Sequence, residues 1–152
     1  MSFPSPYDWD VTLRLIIAAF LGGLIGFERE SHGKEAGVRT YALVSLGSAL
    51  MMVISLQMYF TYQGNTDPGR LAAQVISGIG FLGAGAIIRF ERGGVQEKIS
   101  GLTTAAGIWT ASGIGLACGL GMYHPAIITT IFCLVILIVF SKLNKYFGGK
   151  DN

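Results

Sequence analysis

The sequence predicts an all-α protein: a polytopic membrane helix bundle of about five transmembrane helices, with the N-terminus outside and the C-terminus in the cytoplasm. Three observations carry this. Of 152 residues, 51% are hydrophobic and 13% are charged, against about 25% charged in soluble domains. Five apolar stretches approach the roughly 17–25 residues that a spanning helix needs. Nine of the eleven Lys and Arg residues fall on one side of those stretches, and basic residues stay cytoplasmic.

The first stretch, 11–27, reads VTLRLIIAAFLGGLIGF. The segment before it, MSFPSPYDWD, is acidic, whereas a signal peptide begins basic and ends at a small-x-small cleavage site. A retained first helix is expected. Arg14 lies about one turn inside it, so it either snorkels to the outer headgroups or pairs with Asp10 one turn earlier. Ala18, Gly22 and Gly26 recur every four residues, the spacing that lets helix backbones approach in lipid, where no hydrophobic drive exists between helices.

The following loop, 28–39, holds Arg29, Lys34 and Arg39. A solvated loop with local ion pairs is one reading of Glu28, Arg29, Glu30 and Arg39; a charge lock of Glu28 with Arg39, or of Arg29 with Glu91, is the other. The second stretch is 40–60. Asp67-Pro68-Gly69-Arg70 then looks like a helix start, with Asp67 as N-cap and Pro68 in the first position.

The third stretch, 71–88, contains GIGFLG at 78–83, a literal G-x-G-x-x-G, and Glu97 follows at about the distance of a ribose contact. No strand precedes it and no charge interrupts it, so the context of a dinucleotide turn is missing. Gly78, Gly80 and Gly83, with Ala73–Ser77 and Gly80–Ala84 at four-residue spacing, fit close helix packing instead. Gln74 is expected either to bridge helices or to line a polar cavity with Arg70, Ser77 and threonines of the fourth helix. The 89–101 loop carries Arg89, Arg92 and Lys98.

The fourth stretch, 102–119, is the least hydrophobic, which predicts that its neighbours shield it. Its ridge of Gly107, Ala111, Gly115 and Gly119 is the one expected to face a partner or a second copy. The fifth stretch is 125–140, and Lys142, Lys145 and Lys150 follow it. Trp9, Tyr59, Tyr62, Tyr123 and Tyr146 fall near the expected interfaces, as an aromatic belt does. Arg14-Leu15 to Phe27-Glu28-Arg29 echoes Arg70-Leu71 to Phe90-Glu91-Arg92, which is compatible with either a parallel repeat or chance likeness of apolar sequence. The chain reads as one domain, 1–152, with no appended C-terminal soluble domain.

No nucleophile elbow, HExxH, phosphate-binding loop or triad is present. Cys118 and Cys133 lack metal-like spacing and read as small buried hydrophobes. His32 and His124 read as solvated loop residues. No enzyme chemistry, cofactor, metal site or nucleic-acid partner is expected.

Four motifs in order, LRLIIAAFLGGLIGFERE, AGVRTYALVSLGSAL, DPGRLAAQVISGIGFLGAGAIIR and GLTTAAGIWTASGIGLACGLGMY, resemble the MgtC/SapB family of bacterial inner-membrane proteins. The resemblance covers Leu13 to Leu137. It implies a multi-pass, non-enzymatic protein of the inner membrane, linked to magnesium homeostasis, virulence and stress adaptation. It also implies a regulator of another membrane complex such as the ATP synthase, with homo-oligomerisation open. Candidate polar positions carried over are Glu28, Arg29, Arg39, Thr40, Asp67, Arg70, Gln74, Thr103 and Thr104; the motif also includes Gly37, Gly78, Gly80 and Gly83. Where the family often has a basic residue before GLTTAA, this chain has Ser100. The competing reading is a small ion transporter or channel lined by Arg70, Gln74, Ser77, Thr103 and Thr104. The spans contain no central Asp or Glu to suit a divalent cation, and arginine-rich mouths suit an anion better.

Overall fold

A computed structural model describes residues 9–90 and 98–147, and for 88–90, 98–99 and 144–147 the backbone alone. The described elements are α1 (Trp9–Ser31), α2 (Val38–Thr61), α3 (Gly69–Gly85), β1 (Ile88–Phe90), β2 (Lys98–Ser100), α4 (Leu102–Gly119) and α5 (Tyr123–Phe147). Three helices, α1, α2 and α5, are long and apolar enough to cross a membrane. The other two, of 17 and 18 residues, are the shorter α3 and the hydroxyl- and glycine-rich α4.

The small-residue spacing read in α1 and α4 determines how the bundle closes. A Cβ on Gly22 would come within 2.6 Å of the Tyr41 carbonyl oxygen, and one on Gly26 within 2.7 Å of Gly37's. On α4, a Cβ at Gly107 would meet the Tyr41 hydroxyl at 2.5 Å, one at Gly119 would meet the Ala49 carbonyl at 2.6 Å, and one at Gly115 would overlap the Ser45 backbone. Both ridges are therefore turned onto α2, which is clamped between α1 and α4. The α4 ridge expected to meet a partner is internal instead: Gly107, Ala111, Gly115 and Gly119 are all buried. The reason is economy of contact. α4 packs against α1, α2, α3 and α5, so its low hydrophobicity is matched by shielding, as the sequence suggested.

The core holds Ala18, Ile25, Tyr41, Ala49, Ile108, Ala111, Ile114 and Cys118. Its polar groups are mostly bonded nearby. Tyr41 donates to the Thr104 carbonyl at 3.1 Å and Ser48 to the Val44 carbonyl at 2.8 Å, while Ser48 Oγ accepts from the Ser112 hydroxyl at 3.1 Å. Cys118 is buried, Cys133 half-buried, and both are free thiols.

α3 leans mainly on α4 and α2, and of its residues Ile79 and Gly83 are buried. It ends at Gly85 rather than running to 88. The β-branched and aromatic residues that follow, Ile88-Arg89-Phe90, pair antiparallel with Lys98–Ser100, extended geometry that such side chains favour. This small hairpin was not expected in an all-helical reading.

Candidate functional site

At one end of the bundle, the α1–α2 turn, the C-terminal end of α3, the start of α4 and the later part of α5 border an open cavity of about 1290 Å³. Its polar wall comes from Arg29, Lys34, Glu35, Thr40, Ser100, Thr103 and Thr104. Local rules place each group. α1 runs on past its apolar face, so its last turns carry Glu28 and Arg29 inward. Both are buried, at 6% and 5% exposure. Arg29 Nη1 lies 3.5 Å from Glu28 Oε2, and Arg29 Nε has no hydrogen-bond partner. His32 Nδ1 is 2.9 Å from the Glu28 carbonyl oxygen and 3.1 Å from Glu28 Oε1. Only the carbonyl lies along a hydrogen-bonding direction, so Oε1 remains without a partner.

The turn into α2 is tied by Glu30, whose Oε2 accepts the Val38 N–H at 2.9 Å; Gly37 leaves space for that carboxylate. α4 opens on Gly101, which holds a left-handed φ of +92° with no side chain capping the helix. A Cβ there would overlap the Ala86 carbonyl, so glycine alone allows the chain to turn from β2 into α4 against the end of α3.

Of the sequence candidates, Arg29, Thr40, Thr103 and Thr104 meet at this cavity, and Glu28, which is not in its lining, pairs with Arg29. Arg39 is exposed and lies outside it. The expected solvated character of Glu28 and Arg29 is corrected by their burial, and the expected lock of Glu28 on Arg39 is replaced by the Glu28–Arg29 and Glu28–His32 contacts. Glu91, the other proposed lock partner, lies outside the described residues, as do Arg92 and Glu97. His32, expected as a solvated loop residue, is exposed in the turn that follows α1, with its ring nitrogen against the Glu28 carbonyl. Reasoning from sequence missed Lys34, Glu35, Ser100 and Gly101 as wall residues. The signal available was Gly101 itself, a glycine between an extended run and a helix start.

Asp67, Arg70 and Gln74 are elsewhere. Asp67 Oδ1 accepts the Gly69 N–H at 2.8 Å, though the helix begins one residue later than expected, with Pro68 in the flanking position. Arg70, Gln74 and Ser77 are exposed on α3, and none of them reaches the cavity that takes Thr103 and Thr104. Gly78 and Gly80 have nothing within 4 Å of a Cβ position, and Gly83 meets Ala105 Cβ at 3.6 Å. At this same far end Arg14 donates from Nε to Asp10 at 2.7 Å and from Nη1 to the Gly119 carbonyl at 2.8 Å, so it closes the last turn of α4 as well as pairing with Asp10. Among the described residues no three His, Cys, Asp or Glu side chains come together as a metal site.

Sequence comparison identifies relatives. The profile of the MgtC family matches residues 15–146. YhiD of Escherichia coli K12, whose name proposes magnesium transport, is 43% identical over 143 residues, 91% of this chain and 64% of YhiD. SapB of Bacillus subtilis is 41% identical over 132 residues, 84% of this chain and 55% of SapB. MgtC of Brucella abortus is 43% identical over 119 residues, 78% of this chain and 46% of MgtC. The chain spans less than two thirds of the length of these relatives. No solved structure matches it.

Proposed function

The chain belongs to the MgtC family, and from that premise we propose that it is a non-enzymatic protein of the bacterial inner membrane that regulates another membrane complex, in the setting of magnesium limitation or stress. The observation that carries this is the outward face of α3. The ridges Ala18, Gly22 and Gly26 of α1 and Gly107, Ala111, Gly115 and Gly119 of α4 lie inside the bundle, whereas Ala73, Gln74, Ser77, Gly78, Gly80 and Ala84 remain exposed, with open space at Gly78 and Gly80. Phe81 and Leu82 on α3 are exposed as well and suit lipid, but the small and polar positions offer lipid little. A transmembrane helix of a partner gains close backbone packing, and Gln74 and Ser77 gain hydrogen-bond partners worth about 1 kcal/mol or less each. The membrane ATP synthase is the first candidate complex.

Gly78→Leu combined with Gly80→Leu fills that face. The expected outcome is an unchanged unfolding midpoint for the isolated protein and loss of co-purification with the partner after in-cell crosslinking. Co-purification that survives the double variant would sink the reading. The transporter reading rests on the cavity and its polar wall; ion flux from purified protein in liposomes, abolished by Thr103→Val, would decide for it.

A further inference from the structure

The regulatory reading gives α3's outward face to a docking helix, and on that premise the face itself says which helix fits it. Arg70, Gln74, Ser77, Gly78, Phe81 and Gly85 are all exposed, and their spacing of three and four residues puts them on one side of α3. At the head of this stripe Asp67 and Arg70 carry opposite charges. Both are exposed, and neither forms an ion pair among the described residues. Asp67 uses Oδ1 to accept the Gly69 N–H, which leaves Oδ2. Gln74, one turn further in, makes no hydrogen bond among the described residues. Phe81 is 83% exposed. On either side of it along the stripe, at Gly78 and at Gly85, a Cβ would meet nothing within 4 Å.

Each of these groups has its complement on the same stripe. The acid is followed three residues later by a base, and the protruding ring is preceded three residues earlier by a notch. A carboxamide, with both a donor and an acceptor, complements itself. Copies of one membrane protein enter the bilayer in the same orientation, so two of them pair about a two-fold axis along the membrane normal, with equal helices parallel. In such a pair every contact occurs twice, because residue i meets j and j meets i. Asp67 of each copy meets Arg70 of the other across an offset of about 4.5 Å along the helix, within an arginine's reach. Phe81 of each copy enters the notch at Gly78 of the other, and the two Gln74 side chains bond each other. The small residues let the backbones come close enough for this. A helix of unrelated sequence satisfies one of these contacts by chance; a second copy satisfies them all. We propose that α3 of a second copy of this chain occupies the outward face of α3, as a parallel two-fold pair, whenever the partner complex does not. The pair covers the surface that the regulatory reading uses, so the partner must displace it. It forms at the protein density of a membrane and dissociates on dilution in detergent, where the chain unfolds as a single copy.

The test uses the full chain with two different tags, purified and reconstituted together into phosphatidylcholine vesicles, so that no partner complex is present. Wild-type copies are expected to capture each other. Asp67→Arg puts two like-charge contacts into the pair, and so does Arg70→Asp; each alone is expected to reduce capture about tenfold or more. Mixing the Asp67→Arg chain with the Arg70→Asp chain puts opposite charges back at both contacts and is expected to restore capture. One copy in that mixture still lacks the Asp67 bond to the Gly69 N–H, so restoration separates pairing from capping. Where a charge variant does not fold, Gln74→Cys in an otherwise unchanged chain reports the same contact. It is expected to form an intermolecular disulfide with copper phenanthroline as oxidant, whereas Phe20→Cys, at an exposed position of α1, is expected to form none. The proposal is overturned by any of four results: no capture between folded wild-type copies, charge variants that capture as wild type does, a mixture no better than either variant, or equal crosslinking from positions 74 and 20. Capture in vesicles without co-purification of a partner complex from cells overturns the regulatory reading alone; the converse overturns the two-fold pair alone.

Discussion

At the scale of single residues, the sequence announced which side chains needed an explanation but not what they touch. Glu28 and Arg29 were legible as candidates because they end an apolar run; their burial was not, since it depends on the α2 turn folding back over α1. That burial fixes a prediction. Removing one member strands a buried charge, at a cost of about 3–5 kcal/mol, while neutralising both in kind costs much less. Arg29→Leu is therefore expected to lower the unfolding midpoint in lipid nanodiscs far more than the double change Glu28→Gln, Arg29→Gln. Equal losses would mean that the pair contributes through shape alone. Arg14 shows the same limit of legibility: its pairing with Asp10 lies within one helix and could be read at i, i+4 spacing, whereas its bond to the Gly119 carbonyl spans 105 positions and could not.

At the scale of elements, all five helices were readable within a few residues because apolar length and punctuation are local. Which face each presents was only half readable. Four-residue spacing of small residues says that a helix packs closely, and not against what. In α4 it serves α2, with Tyr41, Ser45, Ala49 and Met52 filling the spaces beside Gly107, Gly115 and Gly119. In α3 the same kind of spacing meets open space at Gly78 and Gly80. Gly115→Leu is accordingly expected to destabilise the bundle by more than the roughly 1–3 kcal/mol usual for overpacking, because the obstacle is Ser45 backbone rather than a movable side chain. Thermal unfolding followed by size-exclusion chromatography would show an early, aggregating transition. A midpoint like that of wild type would disprove the close α2–α4 contact. The β1–β2 pair escaped notice because two three-residue strands carry almost no periodicity.

At the scale of the whole molecule, the membrane class was plain from composition. The polar cavity was not, because it is assembled from four separate segments. We expect the α1–α2 turn to lie in the cytoplasm and the α2–α3 turn outside. Both native thiols are at least half-buried, so single cysteines can report this: Asn65→Cys should react with an impermeant maleimide in intact cells and Lys34→Cys only after lysis. The reverse pattern would invert the topology and place the cavity outside. The position of α4 has one more consequence, for biogenesis. A glycine- and hydroxyl-rich segment surrounded on its sides by α1, α2, α3 and α5 has little of its own to hold it in lipid when it leaves the ribosome. We expect α1 and α2, synthesised before it, to receive its glycine ridge as it inserts, and α5, synthesised after it, to close the remaining side.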